Sequence, residues 1–278
     1  MRLHVGCAMW THPAWHDSGP SGARLRAYAD HCTAVEGNTT FYATPTRATV
    51  ESWARQTDPD FRFVIKLPRT VTHERRLTEV AAEMREFLVA VEPLGPRLHA
   101  VWAQLPASFG PNDLGVLARF LRRLPTEYRP AVEVRHPAFF ADERAAAQLE
   151  GVLSRVGGEW IPFDTTVLFD GPPTTATEEE AWSKKPRVPR RTRALTEFPI
   201  VRYHGRAEEA RTVAGWRPWL DVVTEWLREG RSPTVFIHTP DNAAARELSR
   251  RFHDAVRARL PELSPLPDPA RAAPMTLF

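Results

Sequence analysis

Residues 128–135 read YRPAVEVR, and the alternation inside this run decides the fold. Successive side chains of a strand point to opposite faces, so Ala131, Glu133 and Arg135 share one face while Val132 and Val134 share the other. The valine face needs cover. The other face carries a carboxylate and a guanidinium at its C-terminal end, where a helix-covered parallel sheet opens to ligands.

Seven more apolar runs repeat this design: LHVGCAM (3–9), AVEGN (34–38), FRFVIKL (61–67), LHAVWAQL (98–105), EWIPFD (159–164), FPIVRYHG (198–205) and PTVFIHT (233–239). Their spacing of roughly 30 residues is the length of one strand–loop–helix unit. Most intervening stretches have helical periodicity: residues 48–56, 78–95, 112–124, 142–157, 215–230 and 242–260, with a weaker pattern at 21–32. Several begin at Asn or Asp and stop at Gly or Pro. The sixth connection, residues 165–197, is rich in Pro, Thr and charge and is expected to be a long loop at the mouth.

Alternating strands and helices with right-handed crossovers leave an open doubly wound sheet or a closed barrel. Eight units without a GxGxxG fingerprint favour an α/β fold of the (β/α)8 TIM-barrel type. Residues 1–260 are expected to form this single domain, and 261–278 a flexible Pro-rich tail.

Composition is that of an ordinary globular chain, with 42% hydrophobic and 26% charged residues. The two cysteines, Cys7 and Cys32, rule out a disulfide framework and suit a reducing compartment. No run approaches the roughly 20 apolar residues of a membrane span, so a cytoplasmic location is expected. A net charge of +3 does not by itself indicate a nucleic-acid partner.

The same parity applied to every run gathers polar residues on one face near the strand ends. These are Glu36 and Asn38, Lys66, Gln104, Glu133 and Arg135, Arg202 and His204, and His238, with Asp164 offered by the sixth run. Cys7 falls on the helix-facing side. Charged ends converging from several strands imply a pocket.

The segments carrying these residues are distinctive: GCAMWTHPAW, AVEGNTTFYATPT, FVIKLPRTVTH, AQLPASF, AVEVRHPAFF and VRYHGR, in that order. Together they resemble the domain of unknown function 72, the YecE-like family, from Gly6 to Arg206. The resemblance implies a (β/α)8 barrel and a shared pocket of Glu36, Asn38, Phe41, Tyr42, Lys66, His73, Gln104, Glu133, Arg135, His204 and Gly205. It brings no established activity. The chain departs from the pattern after Trp10, where a Tyr-Pro pair is usual, and at HTPDN (238–242), which bears on His238 and Asn242.

Such a pocket suits acid–base chemistry on a small anionic substrate, phosphorylated or sugar-like. Glu133 or Glu36 would be the base and His204 the acid. Lys66, Arg135 and Arg202 would stabilise charge, with Asn38, Tyr42, His73, Gln104, Asp164 and His238 as further binding residues. The reading leans to an enzyme of lyase, isomerase or hydrolase type. A purely ion-paired barrel top, or a binding module without catalysis, is the plainer alternative. No cofactor is expected. A divalent metal held by Glu36, Glu133, Asp164, His204 and His238 is a weaker option that nearby Lys66 and Arg135 oppose. A Schiff base on Lys66 is a third. Trp10 and Trp15, with Phe41 and Tyr42, offer rings for stacking, whereas Trp53, Trp216, Trp219 and Trp226 have core spacing.

A second class of reading comes from elsewhere in the chain. KKPRVPRRTR (184–193) is basic enough to meet a phosphate backbone. The ending APMTLF resembles peptides that dock DNA-repair proteins on the bacterial sliding clamp, with Met275, Leu277 and Phe278 as anchors. Together these hints would make the barrel a nucleic-acid-processing protein.

Overall fold

The computed structural model describes residues 2–15, 21–267 and 269. In chain order the elements are β1 (His4–Cys7), α1 (Arg24–Ala29), β2 (Ala34–Gly37), α2 (Arg47–Arg55), β3 (Arg62–Lys66), α3 (Ala81–Val91) and β4 (Leu98–Gln104). Then come α4 (Leu114–Leu121), β5 (Pro130–Glu133), α5 (Ala138–Ala141), α6 (Glu143–Ser154), β6 (Glu159–Trp160), β7 (Phe163–Asp164) and α7 (Ala176–Lys184). The chain continues through β8 (Ile200–His204), α8 (Glu209–Gly215), α9 (Arg217–Arg228), β9 (Thr234–His238) and α10 (Ala245–Arg257).

The strands form one parallel sheet in the order β6-β5-β4-β3-β2-β1-β9-β8-β7. Its curl follows from which side chains meet. Ala34, Val64, Ala100, Trp102, Ala131, Ile161, Ile200 and Phe236, drawn from strands across the whole order, make one buried cluster of their own. Residues so far apart along a sheet touch only when it bends around them. Their neighbours of opposite parity pack outward: Val35, Phe63, Ile65, Val101 and Val132 against the early helices, and Val201, Tyr203, Val235 and Ile237 against Trp219, Val223 and Phe252. The result is a single α/β domain, a curled parallel sheet with helices around its convex side.

All eight apolar runs form strands, but the sixth appears as two. Pro162 has no N–H to give a ladder. Ile161 N still donates to Val132 O at 2.8 Å, and Pro162 O accepts from Arg202 N at 3.0 Å. The first half of this run therefore pairs with β5 and the second with β8, so the two ends of the strand order lie two residues apart in the chain.

Two expectations need correction. The sixth connection is not a structureless loop, since α7 lies within it. Thr175 caps this helix by accepting from Glu178 N at 3.2 Å, and Lys184 closes its last turn. Nor does packing stop at residue 260. Leu263 and Leu266 are buried with Leu260 against α9 and α10 residues, and Arg250 Nη2 holds Pro267 O at 2.9 Å. Residues 270–278, with the clamp-like Met275, Leu277 and Phe278, lie outside the described residues.

Candidate functional site

Arg202, in the middle of β8, organises the concave face. Its Nε and Nη2 donate to the two oxygens of Glu36 at 2.7 and 3.1 Å, and its Nη1 donates to Glu133 Oε2 at 2.6 Å. The rings of Trp102 and Phe163 each lie 4.4 Å from its guanidinium carbon. Glu36 also accepts from Asn38 Nδ2 at 2.9 Å and from His238 Nε2 at 2.8 Å. Glu133 also accepts from Arg135 Nε at 2.9 Å. Burial works to raise both carboxyls. For Glu36 it is outweighed by Arg202 and His238, which hold the group well below the usual carboxylate range. For Glu133 it is outweighed by Arg202, Arg135 and Lys66, and the pKa again falls. Two ionised carboxylates saturated by guanidinium are poor general bases.

Burial also lowers both histidines at the strand ends, His204 well below its ordinary value and His238 in the same direction. Their rings lie nearly parallel with centroids 5.9 Å apart. His204 Nδ1 faces Gly205 O at 3.0 Å, a carbonyl that can only accept, so its Nε2 is left as an acceptor. The acid role expected of His204 does not fit a neutral ring with its proton already engaged. Gly205 is needed for close approach: a Cβ there would fall 2.3 Å from Thr212 Oγ1, which accepts from Arg206 N at 2.8 Å.

Lys66, at the end of β3, behaves differently. It is 9% exposed, and its ammonium makes no hydrogen bond or ion pair among the described residues. Nζ lies 3.9 Å from the Phe41 ring centroid and 5.1 Å from that of Trp102. Burial and the positive charge of Arg202 bring its pKa down to about 7, although Glu133 and Glu36 pull the other way. A second lysine joins it. Lys185, directly after α7, has its Nζ 5.9 Å from the Phe163 ring, and burial with Arg202 and Arg135 lowers its pKa to about 8. The Gln104 carboxamide is buried on the same face, again without a hydrogen-bond partner among the described residues.

The family described as "Protein of unknown function DUF72" matches residues 4–272. The chain belongs to the DUF72 family. It is 36% identical over 265 residues to the UPF0759 protein YecE of Escherichia coli, covering 95% of this chain and 96% of that one. A DUF72 protein of Thermotoga maritima shares the fold with a TM-score of 0.68 at 22% identity, covering 94% of this chain and 100% of that one. One from Enterococcus faecalis does so at 0.67 and 18%, covering 95% and 98%.

Within this DUF72 chain the structure brings together Glu36, Asn38, Lys66, Glu133, Arg135, Arg202, His204 and His238, with Gln104 on the same face. His73 stands at the edge, its ring 5.0 Å from Phe41, and burial lowers it to about 4. Two expected binding residues lie elsewhere. Asp164 faces the helices, where its Oδ2 accepts from Trp219 Nε1 and Arg190 Nε, both at 2.6 Å. Ile161 and Phe163 hold the inner positions of that run, so alternation turns Asp164 outward. Tyr42 is 81% exposed and touches the site only through the edge of Phe41. Trp15 is buried against Tyr28, and Trp10 packs edge-on to Trp53.

Among the described residues no group of three His, Cys, Asp or Glu side chains is placed to hold a metal. The candidate donors are separated by the outward turn of Asp164 and by Arg202 between the two glutamates. Much of the basic segment is engaged by partners within the chain. Lys184 pairs with Glu180, Arg187 lies over Phe169 and Trp182, Arg190 binds Asp164, and Arg191 and Arg193 share Glu150. Lys185 is the residue sequence reasoning missed. A signal existed: the chain has only three lysines, Lys66, Lys184 and Lys185, among 37 Lys and Arg residues, and two of the three are at this site.

Proposed function

We propose that this DUF72 protein is an enzyme that binds a small anionic substrate at the C-terminal ends of its strands and acts on it by acid–base chemistry. The observation that carries the reading is an excess of unpaired positive groups on a buried face. Glu36 and Glu133 are taken by Arg202, which leaves Lys66, Lys185 and the Nη atoms of Arg135 without a carboxylate among the described residues. A bound phosphate or carboxylate would satisfy them and raise both lysine pKa values. The groups that titrate near neutrality are then the lysines rather than the glutamates or His204. In this reading the curled sheet works as a closed (β/α)8 barrel, with the sixth run as its seam. The adjacency of β6 and β7 in the chain supports that closure.

Thermal unfolding with inorganic phosphate or lactate at pH 6–8 tests the proposal. A ligand at a hundred times its Kd stabilises the protein by about 2.7 kcal/mol, a shift of roughly 5 °C for a chain of this size. Binding should weaken as pH rises through about 7–8, where Lys66 and Lys185 lose their protons. The same shift in Arg135→Gln and Lys185→Gln variants, or no shift in the parent protein, would sink the reading.

A further inference from the structure

The unpaired lysine points to a reaction class. In a chain that uses arginine almost everywhere, two of the three lysines lie on the concave face, and an amine, unlike a guanidinium, can give up its proton near neutrality. Lys66 sits where the nucleophile of an amine mechanism would: at a strand end, nearly buried, with no carboxylate contact among the described residues and packed against aromatic rings. The same four charged side chains, Arg202, Arg135, Glu36 and Glu133, act on Lys66 and on Lys185. Lys66 faces the Trp102 ring and Lys185 the Phe163 ring, and the Arg202 guanidinium carbon lies 4.4 Å from each of those rings, so the two amines flank the same guanidinium.

We propose that Lys66 is a nucleophilic amine that forms an imine with the carbonyl carbon of a small 2-oxo acid, whose carboxylate is held by Arg135 and Lys185. This rests on the anion-binding reading above and names its substrate class. The unprotonated Nζ adds to the carbonyl carbon, forming the C–N bond while the C=O π pair moves to oxygen. That oxygen takes one proton from Nζ to give a carbinolamine. The Lys185 ammonium then protonates the hydroxyl, the C–O bond breaks and water leaves. The iminium keeps the second Nζ proton, and Lys185 is left neutral. Gln104, buried on the same face and with no hydrogen-bond partner for its carboxamide among the described residues, would bind the carbinolamine hydroxyl. Nothing is oxidised or reduced in these steps.

The ordering of the two pKa values favours this division of labour. Near pH 7 about half of Lys66 is unprotonated, against roughly one part in 2,500 for an ordinary lysine, while most of Lys185, at about 8, still carries its proton.

The test is reductive trapping. The full-length protein is incubated with pyruvate or glyoxylate and cyanoborohydride, and the adduct is located by peptide mass. One adduct per chain is expected, on Lys66, exceeding that on exposed Lys184 by about a hundredfold or more. Its rate should rise to about pH 7 and fall above about pH 8. Lys66→Met should abolish it, and Lys185→Gln should slow it at least about tenfold. Modification spread evenly over the three lysines would overturn the proposal. An unchanged trapping rate in Lys185→Gln would overturn the role given to Lys185. Lactate, which has the carboxylate but no carbonyl, separates the two readings: stabilisation by lactate without trapping by pyruvate removes the imine and leaves the anion site. If lactate gives no stabilisation and pyruvate no adduct, both fall.

Discussion

Replacing Arg202 with Met should be the most damaging single change in the site, and its damage should depend on pH. The guanidinium makes three hydrogen bonds to Glu36 and Glu133, whose side chains are fully buried. Removing it leaves Glu36 with Asn38 and His238 and Glu133 with Arg135, two buried carboxylates each short of its main charge partner. Breaking one buried pair costs about 3–5 kcal/mol, and the Trp102 and Phe163 contacts add up to about 2 kcal/mol when desolvated. Part of the loss is recovered because a stranded carboxyl protonates. A variant about 3–5 kcal/mol less stable at pH 7 would melt roughly 5–9 °C lower. In the parent protein both glutamates have depressed pKa values, so their contribution is present above the unfolded value of about 4.3 and is lost as pH falls through the folded one. In the variant the folded pKa values rise above about 4.3, so the remaining contribution is complete below that value and is lost as pH rises. Guanidinium unfolding at pH 5 and pH 8 reads the contrast: the gap between variant and parent should narrow at pH 5. A loss under about 1 kcal/mol, or a gap unchanged between the two pH values, would refute the reasoning.

Three further outcomes follow from the geometry. Asp164→Asn should cost about 1–3 kcal/mol through its Trp219 and Arg190 bonds yet leave phosphate binding intact; a loss of binding would return Asp164 to the site. Glu178→Ala should expose the sixth connection to protease and to hydrogen exchange, because Glu178 holds the fully buried Arg206 and is itself lowered to about 2 despite its burial. Cleavage between residues 165 and 197 at the parent rate would contradict this. Burial pushes the Cys7 thiol up to about 12 and raises Cys32 as well, so maleimide should label both only as fast as the protein opens. Rapid labelling of the native protein would show a more accessible interior than this one.

Most of the sheet was legible because strand alternation is a local rule. It placed Glu36, Lys66, Glu133, Arg202, His204 and His238 on one face without any knowledge of their partners. It failed where the rule was set aside, at Asp164, whose neighbours Ile161 and Phe163 already marked the inner positions. Helix α7 escaped because its evidence lies in capping rather than periodicity: Thr175 and the glutamates after it form a start signal, but few apolar residues follow. Chemical roles were the least legible. A glutamate on the inner face reads as a base until Arg202, 166 positions away from Glu36, is seen to hold it. Lys185 reads as part of a basic run until the fold turns it inward.

The division of the sixth run also bears on how this protein behaves in a crowded solution. A sheet with a long free edge offers a row of backbone donors and acceptors on which another chain can grow, a starting point for aggregates. Here the strands at the two ends of the order are each two residues long. Between them Ile161 N already bonds Val132 O, and Pro162 O already bonds Arg202 N. A misfolded neighbour finds no extended template there, and Pro162, having no N–H, could not supply the missing donor.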